Sequence, residues 1–146
     1  MDLQGTYTFH ASVPLVWDAL TDAEKVSQCL PGSESFEHLG EDSYRVTLQV
    51  GIGSIRGRYQ GTVAITDRKV NQSYRLAVEG RGAAGAVKGS ALVSLNQQED
   101  KTVVEVAADV QVSGTIARMG QRIIGRASSL LMDSFFECMG KTVASV

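Results

Sequence analysis

The sequence predicts an α+β domain in which one long helix covers one face of a curved antiparallel sheet. Five consecutive segments between residues 44 and 112 alternate apolar and polar residues, which is typical of strands with one dry face. Residues 115–140 then change to a period of 3.6, with an apolar stripe along one side. Because a sheet and a helix that each have one apolar face bury those faces against each other, the two patterns predict a two-layer fold.

Length and composition fit a single domain, which we assign to residues 1–146. Apolar residues make up 43% and charged residues 21%, as in an ordinary globular protein. The net charge of −2 gives no basic surplus for binding nucleic acid. No secretory signal and no run long enough to span a bilayer is predicted, so we expect a cytoplasmic protein.

The N-terminal part predicts one strand followed by two short helices. Residues 5–11 alternate, with Tyr7 and Phe9 on one face. Ser12 and Pro14 then predict the start of a helix. Residues 21–24 (TDAE) have the form of a capping box and predict a second helix, which the Pro-Gly pair at 31–32 ends.

The middle of the chain predicts a meander of antiparallel strands. Short turns that contain glycine separate the strands. The five strands are predicted over residues 44–52, 55–66, 74–82, 87–95 and 102–112.

Small residues occupy several inward positions where a filled core would carry larger side chains. They are Gly57, Gly61, Gly80, Gly82, Gly89 and Ala91. Because protein interiors pack densely, unfilled volume on a concave face indicates a ligand cavity. The alternative is that these residues only permit curvature of the sheet and close approach of the helix.

Three tyrosines, Tyr44, Tyr59 and Tyr74, share the inward parity. A buried tyrosine needs a hydrogen-bond partner for its hydroxyl, so these groups could orient the polar end of an apolar ligand. The alternative is that backbone groups satisfy them or that they lie at the rim.

Cys29 and Cys138 are the two cysteines of the chain and lie far apart in sequence. For a cytoplasmic protein we expect two reduced, mostly buried thiols. The alternative is a disulfide or a reactive thiol.

Three turns, near residues 52–54, 83–86 and 113–115, fall at the same end of the predicted meander, because alternate hairpins share an end. Their tips are small and uncharged, and cations stand behind them. We expect this end to contact an anionic lipid surface or an acidic partner, the alternative being an ordinary solvated rim. The residues assigned to this membrane- or partner-facing rim are Ile52, Ile55, Arg56, Arg58, Arg81, Lys88, Arg118 and Arg122.

Other motifs carry little weight. Residues 80–85 spell a dinucleotide fingerprint, but a strand rather than a helix is predicted after it. His10 and His38 are the only histidines, and no cysteine or carboxylate stands at metal-ligand spacing from them. The inward positions offer no set of nucleophile, base and acid. We therefore expect neither a catalytic residue nor a metal.

Several segments together resemble the CoxG family of carbon monoxide dehydrogenase accessory subunits, within the START/Bet v 1-like (SRPBCC) helix-grip superfamily. The matching segments are residues 16–20 (VWDAL), 29–34 (CLPGSE), 53–61 (GSIRGRYQG), 85–89 (GAVKG) and 112–120 (VSGTIARMG). The resemblance covers essentially the whole chain. It implies a seven-stranded curved antiparallel sheet wrapped around one long C-terminal helix, with two short helices between strands one and two.

The resemblance also implies a function. It indicates a non-enzymatic accessory protein that recruits an aerobic, molybdenum-type carbon monoxide dehydrogenase or a related hydroxylase to the cytoplasmic membrane. Its cavity suits a quinone or a lipid, and no tightly bound cofactor is expected. Longer members carry a C-terminal hydrophobic anchor, whereas here we expect peripheral contact at the inner face of the cell membrane.

Two other functions fit the same fold. One is a protein–protein adaptor or assembly factor without a physiological ligand. The other is a cyclase- or hydratase-type enzyme, which would need ionisable groups in the cavity. The residues predicted to line the cavity are Tyr44, Leu48, Tyr59, Gly61, Val63, Tyr74, Leu76, Val104, Val106, Ile116, Met119, Ile123, Ala127 and Leu131.

Overall fold

The computed structural model describes residues 1–52 and 55–144. Eleven elements follow one another along this part of the chain. They are β1 (Asp2–Phe9), α1 (Val13–Leu20), α2 (Ala23–Cys29), β2 (Ser33–Gly40), β3 (Ser43–Ile52), β4 (Ile55–Lys69), β5 (Ser73–Gly82), β6 (Gly85–Gln98), β7 (Lys101–Ser113), a 3₁₀ turn (Thr115–Met119) and α3 (Gln121–Ala144).

The strands form one antiparallel sheet in the order β1-β7-β6-β5-β4-β3-β2. Strands β2 to β7 are neighbours in chain order, and β1 closes the other edge by pairing with β7. Helix α3 packs against β1, α1 and α2. The predicted fold class is therefore confirmed: a curved seven-stranded sheet grips one long C-terminal helix.

The predicted alternation of inward and outward residues is also confirmed. On β5, for example, Tyr74, Leu76 and Val78 are buried or half-buried, whereas Arg75 and Ala77 between them are exposed. A strand places successive side chains on opposite faces, so the apolar set lines the concave face that looks towards α3.

Two boundaries differ from the prediction at the short helices. Asp22 is the N-cap of α2, since its carboxylate accepts hydrogen bonds from the backbone N–H groups of Glu24 (3.0 Å) and Lys25 (3.3 Å). Thr21 instead ends α1, where its hydroxyl donates to the carbonyl oxygen of Trp17 at 2.7 Å. The capping-box prediction identified the right helix but the wrong hydrogen-bonding pattern.

The long helix is interrupted near its start. The sequence predicts one helix over 115–140, but the chain first makes the 3₁₀ turn and α3 begins only at Gln121. Gly120 separates them with a φ of +88°, a backbone conformation that glycine adopts without the steric cost of a Cβ atom. The interruption changes which side of α3 faces the sheet.

Strand β2 gives no clear alternating pattern, so the sequence located it only through the family resemblance. It is an edge strand whose pairing with β3 contains two register shifts. Its residues from Glu37 onwards are exposed. Phe36 attaches it to the rest of the sheet by packing on Tyr44, with ring centroids 5.0 Å apart.

The larger of two hydrophobic clusters lies where α1, α2 and the C-terminal half of α3 meet the sheet, and we call it the helical-end cluster. Within it, Phe136 stacks on Tyr7 (4.2 Å) and meets Phe9 edge-on (6.3 Å). Its buried members are Phe9, Val13, Val16, Trp17, Ala19, Leu20, Cys29, Tyr74, Val93, Leu95, Val104, Val106, Phe136, Met139 and Val143.

The expectation of two reduced cysteines is wrong. Cys29 and Cys138 form a disulfide with an S–S distance of 2.08 Å and a Cα–Cα distance of 5.4 Å. The fold brings them together because the C-terminal end of α2 packs against the C-terminal half of α3. Sequence spacing alone cannot show this contact.

We predict that the disulfide contributes substantially to stability, because it closes a loop with a sequence separation of 109 residues. Replacing both cysteines by serine should lower the free energy of unfolding by about 2–4 kcal/mol. Urea denaturation followed by circular dichroism measures this change. Dithiothreitol should lower the wild type to the level of the double variant and leave that variant unchanged. A wild type that is insensitive to the reductant would contradict the prediction.

Candidate functional site

A second hydrophobic cluster lies at the opposite end of the sheet, and we call it the turn-end cluster. Val50, Ile55, Ile116 and Ala127 are its buried members. It forms where the β3–β4 and β5–β6 turns meet the end of β7, since the Ile116 N–H donates to the carbonyl oxygen of Ala84 at 2.8 Å. The half-buried residues packed against it are Leu48, Tyr59, Ala84, Val112 and Met119.

Between the two clusters, the centre of the concave face is less well covered. The residues there are inward-facing but only half-buried, and they belong to neither cluster. We call them the middle strip: Gly61, Val63, Val78, Gly80, Val87, Gly89, Ala108 and Val110.

The sheet register makes the middle strip continuous. Val63 lies opposite Val78, which lies opposite Gly89 on the next strand, and Gly89 in turn lies opposite Val110. A row of residues on four adjacent strands is therefore apolar, faces inwards and retains solvent exposure.

Helix α3 is attached at the β1 edge of the sheet. A Cβ atom on Gly125 would lie 3.5 Å from the sulfur of Met1. The Tyr7 hydroxyl donates to the Asp133 carboxylate at 2.7 Å, and burial followed by this hydrogen bond raises the pKa of Tyr7 above its usual value. These contacts hold α3 to one edge, so it does not seal the middle strip.

Leu131 is the α3 residue that lies between the two clusters. It is half-buried, whereas Ala127 one turn earlier packs in the turn-end cluster and Phe135 one turn later packs against the helical-end cluster. The space between Leu131 and the middle strip is the candidate ligand site. Apolar groups surround it on both sides.

The three inward tyrosines do not converge. Tyr74 is buried in the helical-end cluster, where its ring meets Trp17 edge-on at 5.6 Å, and burial raises its pKa above the usual value. Tyr44 packs between Phe36 and His38 near the β2 edge. Tyr59 packs against the turn-end cluster, and its hydroxyl is buried without a hydrogen-bond partner among the described residues.

The residues predicted to line a cavity therefore fall into separate groups. Tyr74, Val104 and Val106 are packed inside the helical-end cluster, and Leu76 packs against it. Gly61 and Val63 lie in the middle strip. The structure brings five others together in the turn-end cluster: Leu48, Tyr59, Ile116, Met119 and Ala127.

The placement of Ile123 on the apolar stripe is wrong. Its side chain is 49% exposed, and that of Leu130 is 47% exposed. The prediction treated Ile116, Met119 and α3 as one continuous helix. Because Gly120 interrupts that helix, Ile124 rather than Ile123 faces the interior.

The predicted rim needs a second correction at Ile55, which is only 8% exposed and packs inside the turn-end cluster. The side chain of Ile52 and the tip of the β3–β4 turn at 53–54 lie outside the described residues. The apolar tips predicted for this surface are thus partly an internal cluster.

The rim cations are all exposed but differ in their partners. Arg58 makes two hydrogen bonds to the Glu34 carboxylate, at 3.0 and 3.1 Å, and Lys88 lies 3.8 Å from Glu79. These two pairs neutralise part of the positive charge on the outer face of the sheet. Arg81, Arg118 and Arg122 are further exposed cations at this end.

The outer face also carries a hollow of about 740 Å³ across strands β4 to β7. Polar side chains of both signs line it, among them Glu79, Arg81 and Lys88. It lies behind the middle strip, with the backbone of Gly61 and Gly80 between the two. Its mixed charge distinguishes it from the apolar inner site.

A family model for CoxG, an accessory subunit of carbon monoxide dehydrogenase, matches residues 5–144. The chain belongs to the CoxG family. A conserved protein from Geobacillus kaustophilus has the same fold at a TM-score of 0.96 and 32% identity, covering 99% of this chain and 96% of that one. None of the curated proteins compared with this CoxG-family chain matches it.

Two more distant structures define the wider fold. A START superfamily protein from Mycobacterium smegmatis matches at a TM-score of 0.76 and 14% identity, over 99% of this chain and 97% of that one. Norcoclaurine synthase from Thalictrum flavum matches at 0.70 and 15%, over 100% and 87%. These likenesses confirm the START/Bet v 1-like helix-grip fold. Within residues 1–52 and 55–144, no helix is both long and apolar enough to cross a membrane.

We predict that two paired glycines of the middle strip respond differently to substitution. A Cβ atom on Gly61 would lie 1.9 Å from the Glu79 carbonyl oxygen, whereas one on Gly80 meets nothing closer than 3.8 Å. Gly61→Ala should lower the free energy of unfolding by about 1–3 kcal/mol, and Gly80→Ala should change it by less than about 1 kcal/mol. Chemical denaturation of both variants measures this. Equal effects would show that the sheet does not need the close approach at Gly61.

Proposed function

We propose that this CoxG-family protein is a non-enzymatic carrier of a hydrophobic small molecule, a quinone or a lipid, held between the middle strip and α3. In this proposal it also recruits a molybdenum-type carbon monoxide dehydrogenase or a related hydroxylase to the inner face of the cell membrane. The observation that carries the proposal is the half-buried apolar strip between two packed clusters.

The chemistry of the strip favours an apolar ligand. Val63, Val78 and Val110 retain exposed apolar surface on a concave face. Removing such surface from water contributes roughly 25 cal/mol per Å². A ligand with an apolar body would gain this contribution without displacing any side chain of the two clusters.

The side chains of the site support a carrier rather than an enzyme. Norcoclaurine synthase shows that an enzyme can have this fold, so the site residues have to discriminate. Acid–base catalysis needs an ionisable group at the substrate. In the described parts of the concave face the inward strand residues are apolar, glycine or tyrosine, apart from Thr102, whose hydroxyl donates to the Ala11 carbonyl oxygen at 2.7 Å.

We predict that the wild type binds a quinone or lipid and that filling the strip abolishes binding. Val78→Trp places a large side chain in the strip, whereas Ala77→Trp places the same side chain on the outer face of the same strand. Mass spectrometry of an organic extract should find a stoichiometric ligand in the wild type and in Ala77→Trp, and little in Val78→Trp. Circular dichroism verifies that both variants fold.

A wild type that is empty after purification and also fails to bind quinones or phospholipids in titration would overturn the carrier proposal. The protein–protein adaptor would then be the better interpretation. Equal loading of the two tryptophan variants would instead place the ligand somewhere other than the middle strip.

The recruitment part of the proposal rests on family membership and on the cations at the turn end. Arg81 follows the outer face of β5 to the β5–β6 turn, Arg118 lies in the 3₁₀ turn, and Arg122 lies in the first turn of α3. Each basic residue near an anionic membrane contributes about 1 kcal/mol to binding. Three such residues at one end suit reversible attachment.

We expect the protein to float with vesicles that contain acidic phospholipid at low salt. Changing Arg81, Arg118 and Arg122 to glutamate should weaken this binding by about a hundredfold or more. A matched variant carries the same charge change at the other end of the sheet, at Lys69, Arg75 and Lys101, and should bind like the wild type. A purified molybdenum-type carbon monoxide dehydrogenase should float only when the wild type is present. Binding that is equal in both triple variants, or absent in the wild type, would refute the recruitment proposal.

A further inference from the structure

Tyr59 carries a buried side-chain hydroxyl that has no hydrogen-bond partner among the described residues. The group lies in apolar surroundings, because Tyr59 packs with Leu48, Val112 and Met119 against the turn-end cluster. Leaving a buried hydroxyl without a partner costs about 1–3 kcal/mol. A native protein that retains such a group needs a reason for it.

Gly82 holds the Tyr59 ring in this position. The two residues face each other across strands β4 and β5. A Cβ atom on Gly82 would lie 2.8 Å from both Cδ1 and Cε1 of Tyr59, so the ring lies over the glycine. This contact fixes where the hydroxyl points and excludes any larger residue at position 82.

The neighbours of Tyr59 along β4 connect it to the ligand site. Gly61, two residues on, is the first residue of the middle strip on the same face. The hydroxyl therefore stands at the turn end of the strip, where a bound molecule would end.

We propose that the Tyr59 hydroxyl is the polar specificity determinant of the site and donates a hydrogen bond to a carbonyl oxygen of the ligand. This inference rests on the proposed carrier function and deepens it. The ligand class is an apolar molecule with a carbonyl head, and its head lies at the turn end while its body lies along the middle strip. Tyr44 and Tyr74 take no part, because each packs in a different region.

Two probes with one carbon skeleton test the role of the hydroxyl. They are menadione, a methylnaphthoquinone, and methylnaphthalene, which lacks the carbonyl groups. Equilibrium dialysis should show that Tyr59→Phe binds menadione about tenfold more weakly than the wild type does and binds methylnaphthalene unchanged. Tyr44→Phe, the matched control, should bind both probes like the wild type.

Thermal unfolding without ligand separates a binding role from a structural one. Tyr59→Phe should be no less stable than the wild type, because the hydroxyl that it removes has no partner among the described residues. Gly82→Ala keeps the hydroxyl but displaces the ring, and should also reduce the preference for menadione over methylnaphthalene.

The outcomes are distinguishable. If the wild type binds both probes and Tyr59→Phe leaves the preference for menadione unchanged, the Tyr59 inference is overturned while the carrier function stands. If Tyr59→Phe lowers the unfolding temperature and the affinities for both probes alike, the hydroxyl is structural and the inference fails. If the wild type binds neither probe nor any quinone or phospholipid, the carrier proposal itself fails.

Discussion

The architecture depends on how α3 is attached to the sheet: at its two ends and along β1, but not across the middle. At the C-terminal end Phe136 packs on Tyr7 and Phe9. At the N-terminal end Ile116 and Ala127 pack with Ile55. Both attachments bury apolar side chains, which is the main favourable contribution to folding. The space under the middle of the helix is therefore a result of stable packing elsewhere, and it need not weaken the fold.

The glycines of the sheet contribute to this arrangement in different ways. Gly61 is required by its own backbone environment, since a Cβ atom there would meet the neighbouring strand. Gly80, its partner across the strand pair, has room for a methyl group. Of the two sequence interpretations, curvature explains Gly61, and unfilled volume fits Gly80. Inspection of composition alone could not separate them.

Alternation along the strands predicted most of the fold. The inward face of the meander followed directly from a period of two, because each of β3 to β7 has one buried face. The edge strand β2 lacked that signal, since both of its faces are largely exposed. The position of Ile123 was wrong because one glycine, Gly120, changed the phase of the helix that follows it. The disulfide depended on a contact between two helices that are distant in sequence.

The candidate site was predictable in outline but not in detail. Shared parity placed Tyr44, Tyr59 and Tyr74 on one face, yet the distance along the strands separates them into three environments. The pairing of Tyr59 with Gly82 was the signal that could have singled out Tyr59. It becomes visible only after the register of β4 and β5 is known, because side-chain contacts across strands depend on register.

The Cys29–Cys138 bond has a consequence for how a guest molecule can enter. It ties the end of α2 to the C-terminal half of α3, so that half of the helix cannot swing away from the body of the protein. The N-terminal half is tied only by packing, and it follows Gly120, whose positive φ and open surroundings suit a hinge. The molecule is thus built like a clasp with one riveted end, and the doorway for a ligand is at the other end, beside the 3₁₀ turn.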